Sequence, residues 1–373
     1  MNREAQWSGL GKEKSQLKLT TELAPVYHGI GDESAAVPPN GDVMARDTVL
    51  VTGGNSGIGF ECARQLARAG WHVVIASRDR AASAAAVREI SRECGSDTIA
   101  DLPLDLGSLA SVRQFVDEFE GRDVPLRALV CNAGVQVAGA KRLSPDGFEL
   151  TFAVNHLGHF LLTNLLLSRL RANAPSRVVI VASGVHDPSI RTGMPKSAIT
   201  DIETLAATGG PRPGEFNGRL AYVNSKLCNL WFGYELARRV QAVHLSDDAR
   251  PLSVNVFEPG LVPGSGLGRE YPAALRFVWE RILPGVAQVL TPLVAGINPA
   301  PKAGRALAQM VLDPGLTRVS GKYFPSHTRW REAPSSEASY DVERARALWE
   351  ASVRMTHLMP EESPLLGIVA RGS

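Results

Sequence analysis

Thr52-Gly53-Gly54-Asn55-Ser56-Gly57-Ile58-Gly59 is a glycine-rich segment that lies between an apolar run and an amphipathic run. Residues 48–51 predict a buried strand, and the apolar spacing over 58–69 predicts a helix that stops at Gly70. Glycines allow a tight turn and let backbone N–H groups approach a pyrophosphate at the helix N-terminus, where the dipole favours an anion. We therefore expect a dinucleotide site lined by Gly53, Asn55, Ser56, Gly57, Ile58 and Gly59. The alternative is a purely structural glycine turn.

The end of the next predicted strand, 72–76, indicates which dinucleotide binds. A site for NAD places a carboxylate there for the ribose 2′-hydroxyl. This chain has Ser77-Arg78 instead, and a guanidinium pairs well with a 2′-phosphate. Asp79 is expected to begin the following helix. The pattern predicts NADP(H), with a simple surface charge as the alternative role of Arg78.

Strands and helices alternate along the rest of the chain. Further strands are predicted over 99–104, 127–131, 177–182, 252–257 and 322–324, and helices over 109–119, 154–170, 220–240, 301–312 and 336–353. This alternation is typical of the α/β class, as a Rossmann-type doubly wound parallel sheet with helices on both faces and ligands at the strand carboxyl ends. The residues expected at those ends are Asp105 (placed for the adenine amino group), Leu106, Asn132, Ala133, Gly134, Ser183, Pro259, Gly260 and Val262.

Tyr222 and Lys226 form a Tyr-x-x-x-Lys pattern on the predicted helix 220–240. Residues four apart share one face of a helix, so the ammonium lies beside the phenol. A tyrosine ordinarily holds its proton to a pKa of about 10. A nearby cation lowers that pKa and lets the phenol exchange a proton near neutral pH. The alternative is a solvated helix face.

Composition excludes several classes of function. The chain has 373 residues, of which 44% are hydrophobic, and a net charge of +2, so it has no nucleic-acid footprint. The four cysteines have no zinc spacing, and their dispersal predicts reduced thiols and a cytoplasmic location. No apolar run approaches 18 residues, so no spanning helix is expected. His156 and His159 lie three apart without an evident third ligand, so no metal site is predicted.

The chain divides into three predicted parts. Residues 1–46 read as a partly ordered N-terminal extension, 47–330 as one Rossmann-type domain, and 331–373 as a C-terminal helix and tail. Within the domain, 261–300 is expected to be a substrate lid. Its apolar stretch 283–294 suits either a bulky apolar substrate or a membrane surface, with ordinary burial as the alternative. The oligomeric state stays open.

Five motifs occur in a fixed order: Thr52-Gly53-x-x-x-Gly57-x-Gly59, Asn132-Ala133-Gly134, Asn155, Ser183 and Tyr222-x-x-x-Lys226. Together they resemble the short-chain dehydrogenase/reductase family over roughly residues 46–330. The resemblance implies that Tyr222 is the general acid/base and that Lys226 lowers its pKa and holds the nicotinamide ribose. It also implies that Ser183 binds the substrate oxygen and that Asn155 holds a water for proton relay.

A narrower resemblance rests on residues 155–162 and on the long interval between Ser183 and Tyr222. These features are similar to the branch with retinol dehydrogenases and light-dependent protochlorophyllide reductases. Leu261 replaces the cysteine expected after Pro-Gly in those reductases, and Gly264 replaces a threonine. We expect an NADP(H)-dependent enzyme that transfers hydride to or from a carbonyl or alcohol of a small-molecule substrate.

The sequence leaves three alternatives to that activity. The first is ring C=C reduction of a tetrapyrrole, as in the protochlorophyllide reductases. The second is a nonenzymatic NADPH-binding regulator, which would not need Asn155, Ser183, Tyr222 and Lys226 together. The third is a membrane-peripheral interaction protein that uses the apolar lid.

Overall fold

The computed structural model describes residues 46–94, 98–244, 251–264, 277–283, 285 and 296–366. Residues 1–45 of the predicted extension, and 265–276, 284 and 286–295 of the predicted lid, lie outside the described residues. Within the described residues, seven strands form one sheet in the order β3-β2-β1-β4-β5-β6-β7, and every adjacent pair is parallel. The predicted doubly wound α/β class is confirmed.

The strands and main helices follow the predicted alternation closely. The strands are β1 Thr48–Thr52, β2 His72–Ser77, β3 Ile99–Pro103, β4 Leu126–Cys131, β5 Ser176–Val181, β6 Leu252–Glu258 and β7 Lys322–Pro325. The helices are α1 Gly57–Arg68, α2 Arg80–Cys94, α3 Leu109–Glu120, α4 Leu150–Ala172, α5 Ile202–Thr208, α6 Gly218–His244, α7 Ala300–Leu312 and α8 Val342–Thr356.

The sheet is covered by helices on both faces. Successive residues of a strand point to opposite faces, so Leu50 joins one apolar cluster while Val49 and Val51 join the other. The first cluster lies under α3, α4, α6 and α8, and the second lies under α1, α2 and α7. All five residues of β1 are buried, as expected for a central parallel strand.

The chain runs outward from β1 to β3 and then crosses back to β4 on the other side of β1. This reversal of strand order opens a crevice at the carboxyl ends of β1 and β4, where ligands bind in open α/β sheets. Thr52 closes the base of the crevice: its Oγ1 accepts from the N–H groups of Asn132 and Ala133 at 2.9 and 3.0 Å. The Asn132 amide in turn donates to the Thr52 carbonyl at 2.8 Å.

Helix α4 is longer than predicted and irregular at its start. It begins at Leu150 instead of 154, and residues Ala153–Leu157 form a π-helical segment. Its length and composition would suit a membrane span, but 89% of its apolar window is buried inside the protein. That burial is typical of a core helix.

The prediction of one helix over 336–353 was wrong at its beginning. Residues Glu337–Tyr340 form a 3₁₀ turn, and the Asp341 carboxylate caps α8 by accepting from the Arg344 N–H at 3.0 Å. Helix α8 packs against α4 and α6. The Trp349 ring meets Phe160 edge-on with centroids 4.9 Å apart, so the C-terminal helix belongs to the same core as the sheet.

Candidate active site

One cavity of about 1150 Å³ runs along the carboxyl ends of the strands. It exceeds the 300–1,000 Å³ usual for a single small ligand, so a dinucleotide and a substrate can share it. All the predicted cofactor residues line it: Gly53, Asn55, Ser56, Gly57, Ile58 and Gly59 after β1, Ser77 and Arg78 at the end of β2, Asp105 and Leu106 after β3, Asn132, Ala133 and Gly134 after β4, Pro259, Gly260 and Val262 after β6, and Tyr222 and Lys226 on α6.

The turn into α1 requires glycine at two positions. Gly53 has a φ of +65°, a conformation that other residues rarely adopt. A Cβ on Gly59 would lie 2.4 Å from both the Gly53 carbonyl oxygen and the Asn132 amide nitrogen. The turn is therefore packed against the segment after β4. The first residues of α1, Gly57, Ile58 and Gly59, line the cavity, and the N-terminus of a helix is where an anion binds favourably.

The end of β2 presents one exposed guanidinium to the cavity. Ser77 is buried, and its hydroxyl lies 2.5 Å from that of Ser83. Arg78 is exposed at the cavity edge, and among the described residues no acid pairs with it. The Asp79 carboxylate accepts from the Ala82 N–H at 2.9 Å, so the prediction that Asp79 begins α2 is confirmed. The Arg78 guanidinium beside Ser77 suits a phosphate on the ribose, as predicted for NADP(H).

Tyr222 and Lys226 lie on one face of α6 and are 5% and 4% exposed. The Lys226 Nζ atom is 5.6 Å from the centre of the Tyr222 ring and donates to the Val181 carbonyl at 3.2 Å. Burial lowers the pKa of the lysine to about 8. Ser183, two residues beyond β5, lines the same cavity, and its carbonyl accepts from His186 Nδ1 at 2.7 Å.

Asn155 lies behind the cavity wall and does not line it. Its Nδ2 donates to the Val135 carbonyl at 3.0 Å and to Ser225 Oγ at 2.9 Å, while its Oδ1 accepts from the Val135 N–H at 2.8 Å. A Cβ on Gly134 would lie 3.4 Å from Asn155 Oδ1 and 3.6 Å from Lys226 Nζ. Asn155 and Lys226 thus converge on Gly134. The relay water implied by the family resemblance stays a prediction.

The two histidines of α4 make separate protein contacts. His156 Nε2 lies 2.8 Å from Ser352 Oγ on α8, whereas His159 Nε2 lies 2.9 Å from Thr52 Oγ1. His159 Nδ1 also donates to the Asn155 carbonyl at 3.2 Å. Burial lowers their pKa values to about 3 and about 4, so both rings are neutral at pH 7. Within the part of the chain that the structure describes, no three His, Cys, Asp or Glu side chains gather as metal ligands would.

Several cavity residues were missed by the sequence reasoning. Glu258 ends β6 and Ser326 follows β7, and both line the cavity near Pro259 and Gly260. The signal for Glu258 was a charged residue at the end of a buried strand, directly before Pro259-Gly260. Other residues that line the cavity and were not expected include Gln136, Ile190, Arg191, Met194, Arg219, Trp279 and His327.

Comparison with known proteins agrees with this geometry. The model of the short chain dehydrogenase family matches residues 47–194. Protochlorophyllide reductase A, chloroplastic, from Oryza sativa subsp. japonica is 35% identical over 362 residues, covering 91% of this chain and 88% of that one. The WW domain-containing oxidoreductase of Danio rerio is 34% identical, covering 87% of this chain and 72% of that one. A crystal structure of an uncharacterized protein from Mycobacterium paratuberculosis is 31% identical with a TM-score of 0.59, covering 84% of this chain and 94% of that chain.

The chain belongs to the short-chain dehydrogenase/reductase family. Its sequence lies in a branch similar to the protochlorophyllide reductases. The glycine-rich turn before α1 and the Ser77-Arg78 pair at the end of β2 line one cavity and form a dinucleotide site. The protein is therefore an NADP(H)-dependent oxidoreductase that acts on a small molecule.

Proposed function

We propose that the protein transfers hydride between NADP(H) and a carbonyl or alcohol carbon of a bulky apolar substrate, with Tyr222 as the general acid/base. One observation carries the proposal. The buried Tyr222–Lys226 pair and Ser183 line the same cavity as the glycine-rich turn that forms the dinucleotide site. A substrate oxygen between Tyr222 and Ser183 would therefore lie beside the bound cofactor.

Each residue has a separate task in this proposal. The Tyr222 phenol donates a proton to the substrate oxygen on reduction and removes it on oxidation. The Lys226 ammonium favours the phenolate form by its charge. The Ser183 hydroxyl holds the substrate oxygen by a hydrogen bond. The hydride chemistry itself belongs to the bound cofactor.

The apolar side chains of the cavity support an apolar substrate. Ile190, Met194, Leu261 and Trp279 line the cavity. Leu261 is 51% exposed, which leaves a large apolar surface for a ligand to cover. Because apolar walls with a few polar groups are typical of small-molecule sites, substrate bulk is the expected determinant of affinity.

Reduction of a ring C=C bond is a second candidate, favoured by the protochlorophyllide reductases among the relatives at 34–37% identity. Leu261 follows Pro259-Gly260, where the resemblance to that branch implies a cysteine. The two candidates differ in substrate, and the second also predicts a requirement for light.

The test follows NADPH absorbance with aldehydes and ketones of increasing apolar bulk and with protochlorophyllide, in light and in darkness. Tyr222→Phe should lower kcat on the active substrate by roughly 10²–10⁴-fold, since only the proton-transfer group is lost. NADPH affinity should change less than about twofold. Tyr340→Phe, an exposed tyrosine away from the cavity, is the matched control. A Tyr222→Phe enzyme with near-normal kcat would contradict the proposal.

A further inference from the structure

Glu258 is a buried carboxylate that borders the cavity. It is 5% exposed and ends β6, whose other six residues are also buried. A buried carboxylate costs free energy unless donors surround it. The donors around Glu258 therefore indicate what it holds in place.

Both carboxylate oxygens of Glu258 accept hydrogen bonds from segments that border the cavity. Oε1 accepts from the Gly260 N–H at 2.6 Å. Oε2 accepts from both the N–H and the hydroxyl of Ser326, each at 2.9 Å. Strand pairing brings these groups together, because Glu258 lies opposite Pro325 in the β6–β7 register. One side chain thus joins the segment after β6 to the turn after β7.

The segment that Glu258 holds has little room to move. Gly260 has a φ of +82°, and a Cβ there would lie 2.4–2.7 Å from Gly296 O, Asn298 Nδ2 and Ser326 Oγ. Asn298 Nδ2 also donates to the Pro259 carbonyl at 2.9 Å. The backbone at 259–260 is therefore fixed from two sides, by Glu258 and by Asn298.

We propose that Glu258 is a positioning residue for the nicotinamide half of NADP(H). Pro259, Gly260 and Val262 line the cavity beyond β6. Strand β6 pairs with β5, whose last residue, Val181, accepts a hydrogen bond from Lys226. The predicted adenosine contacts, Arg78 and Asp105, follow β2 and β3 at the other end of the sheet. Loss of the Glu258 contacts should therefore weaken one half of the dinucleotide site and leave the other unchanged.

Glu258→Gln is a sharp test because each carboxylate oxygen faces an N–H group. A glutamine has one carbonyl oxygen and one NH₂ group, so in either orientation the NH₂ opposes the N–H of Gly260 or that of Ser326. The variant loses at least one charge-assisted hydrogen bond and sets two donors against each other. Ser326→Ala is milder, since it removes one donor and leaves both N–H contacts.

The experiment is calorimetric titration with NADPH and with 2′,5′-ADP, a fragment that carries the adenosine and its 2′-phosphate but no nicotinamide. Glu258→Gln should weaken NADPH binding by roughly tenfold, the scale of one hydrogen bond to a charged group. The fragment should bind within about twofold of wild type. Glu332→Gln, a half-exposed glutamate paired with Lys322, is the matched control and should change neither affinity.

Two results would overturn the proposal. Equal weakening of NADPH and the fragment would mean that Glu258 only stabilises the fold, and unchanged NADPH affinity would mean that it positions nothing for the cofactor. Melting temperatures of each variant identify a failure to fold. In that case Ser326→Ala decides by the same comparison, with a smaller NADPH-specific loss expected. Neither titration requires turnover, so a failure of the proposed substrate chemistry is seen separately.

Discussion

Removing the Arg78 side chain should convert a preference for NADPH into near indifference between the two dinucleotides. Arg78 lines the cavity at the end of β2, and no described acid pairs with it. Its guanidinium is thus available for the 2′-phosphate, which NADH lacks. Hydrogen bonds to charged groups contribute about 1.5–3 kcal/mol. Because Arg78 is exposed and solvent screens it, the low end applies, and about 1.5 kcal/mol corresponds to roughly tenfold in Kd.

The assay is calorimetric titration of NADPH and NADH against wild type, Arg78→Ala and Arg80→Ala. Arg80 is the next arginine in the chain, is also exposed, and does not line the cavity. It therefore controls for the loss of one positive charge from the same surface. We expect Arg78→Ala to weaken NADPH by roughly tenfold and NADH by less than twofold, with Arg80→Ala close to wild type.

Two outcomes would refute the reasoning. If Arg78→Ala weakens both cofactors equally, Arg78 does not contact the 2′-phosphate. If wild type binds NADH more tightly, the interpretation of Ser77-Arg78 is wrong, and the Asp79 carboxylate, which caps α2, becomes the group to examine for a ribose contact.

Two further predictions follow from the packing and charge of the site. Gly59→Ala should lower NADPH affinity by more than tenfold and the free energy of unfolding by about 1–3 kcal/mol, because its Cβ would lie 2.4 Å from Gly53 O and Asn132 Nδ2. Gly139→Ala is the control, since a Cβ at Gly139 would have no atom within 4 Å. A normal NADPH titration of the Gly59→Ala variant would contradict the packing argument. Burial lowers the pKa of Lys226 from 10.5 to about 8, so between those pH values the unfolded chain holds the extra proton. The free energy of unfolding should therefore rise with pH, by about 1.6 kcal/mol from pH 8 to 9.5. Urea unfolding should show this rise in wild type relative to Lys226→Met, and parallel curves for the two proteins would exclude it.

Local patterns predicted the features that depend on neighbouring residues in the chain. The strand before Gly53 and the helix after Gly59 could be read from apolar spacing, and the sheet order then placed the strand ends side by side. This is why the predicted cofactor residues lie along one cavity although they are spread over more than 200 positions in the sequence.

The sequence reasoning failed where contacts are long-range or where a helix departs from regular geometry. The π-helical segment around Asn155 preserves the apolar composition of an ordinary helix, so its extra residue leaves no signal in the spacing. The contact of Glu258 with Ser326 spans 68 positions and arises from the pairing of β6 with β7. Asp341 could have been recognised as an N-cap, which would have placed the start of α8 correctly.

The packing of α8 on α6 also means that the apolar core is complete only after the last helix has been translated. The five strands through β5 are all translated before residue 182, but a domain generally folds as a unit. Phe232 on α6 and Phe160 on α4 meet Trp349 only after translation has passed the whole sheet. A nascent chain that stops at residue 330 would therefore lack the Trp349 ring that packs against Phe232 on the helix of Tyr222.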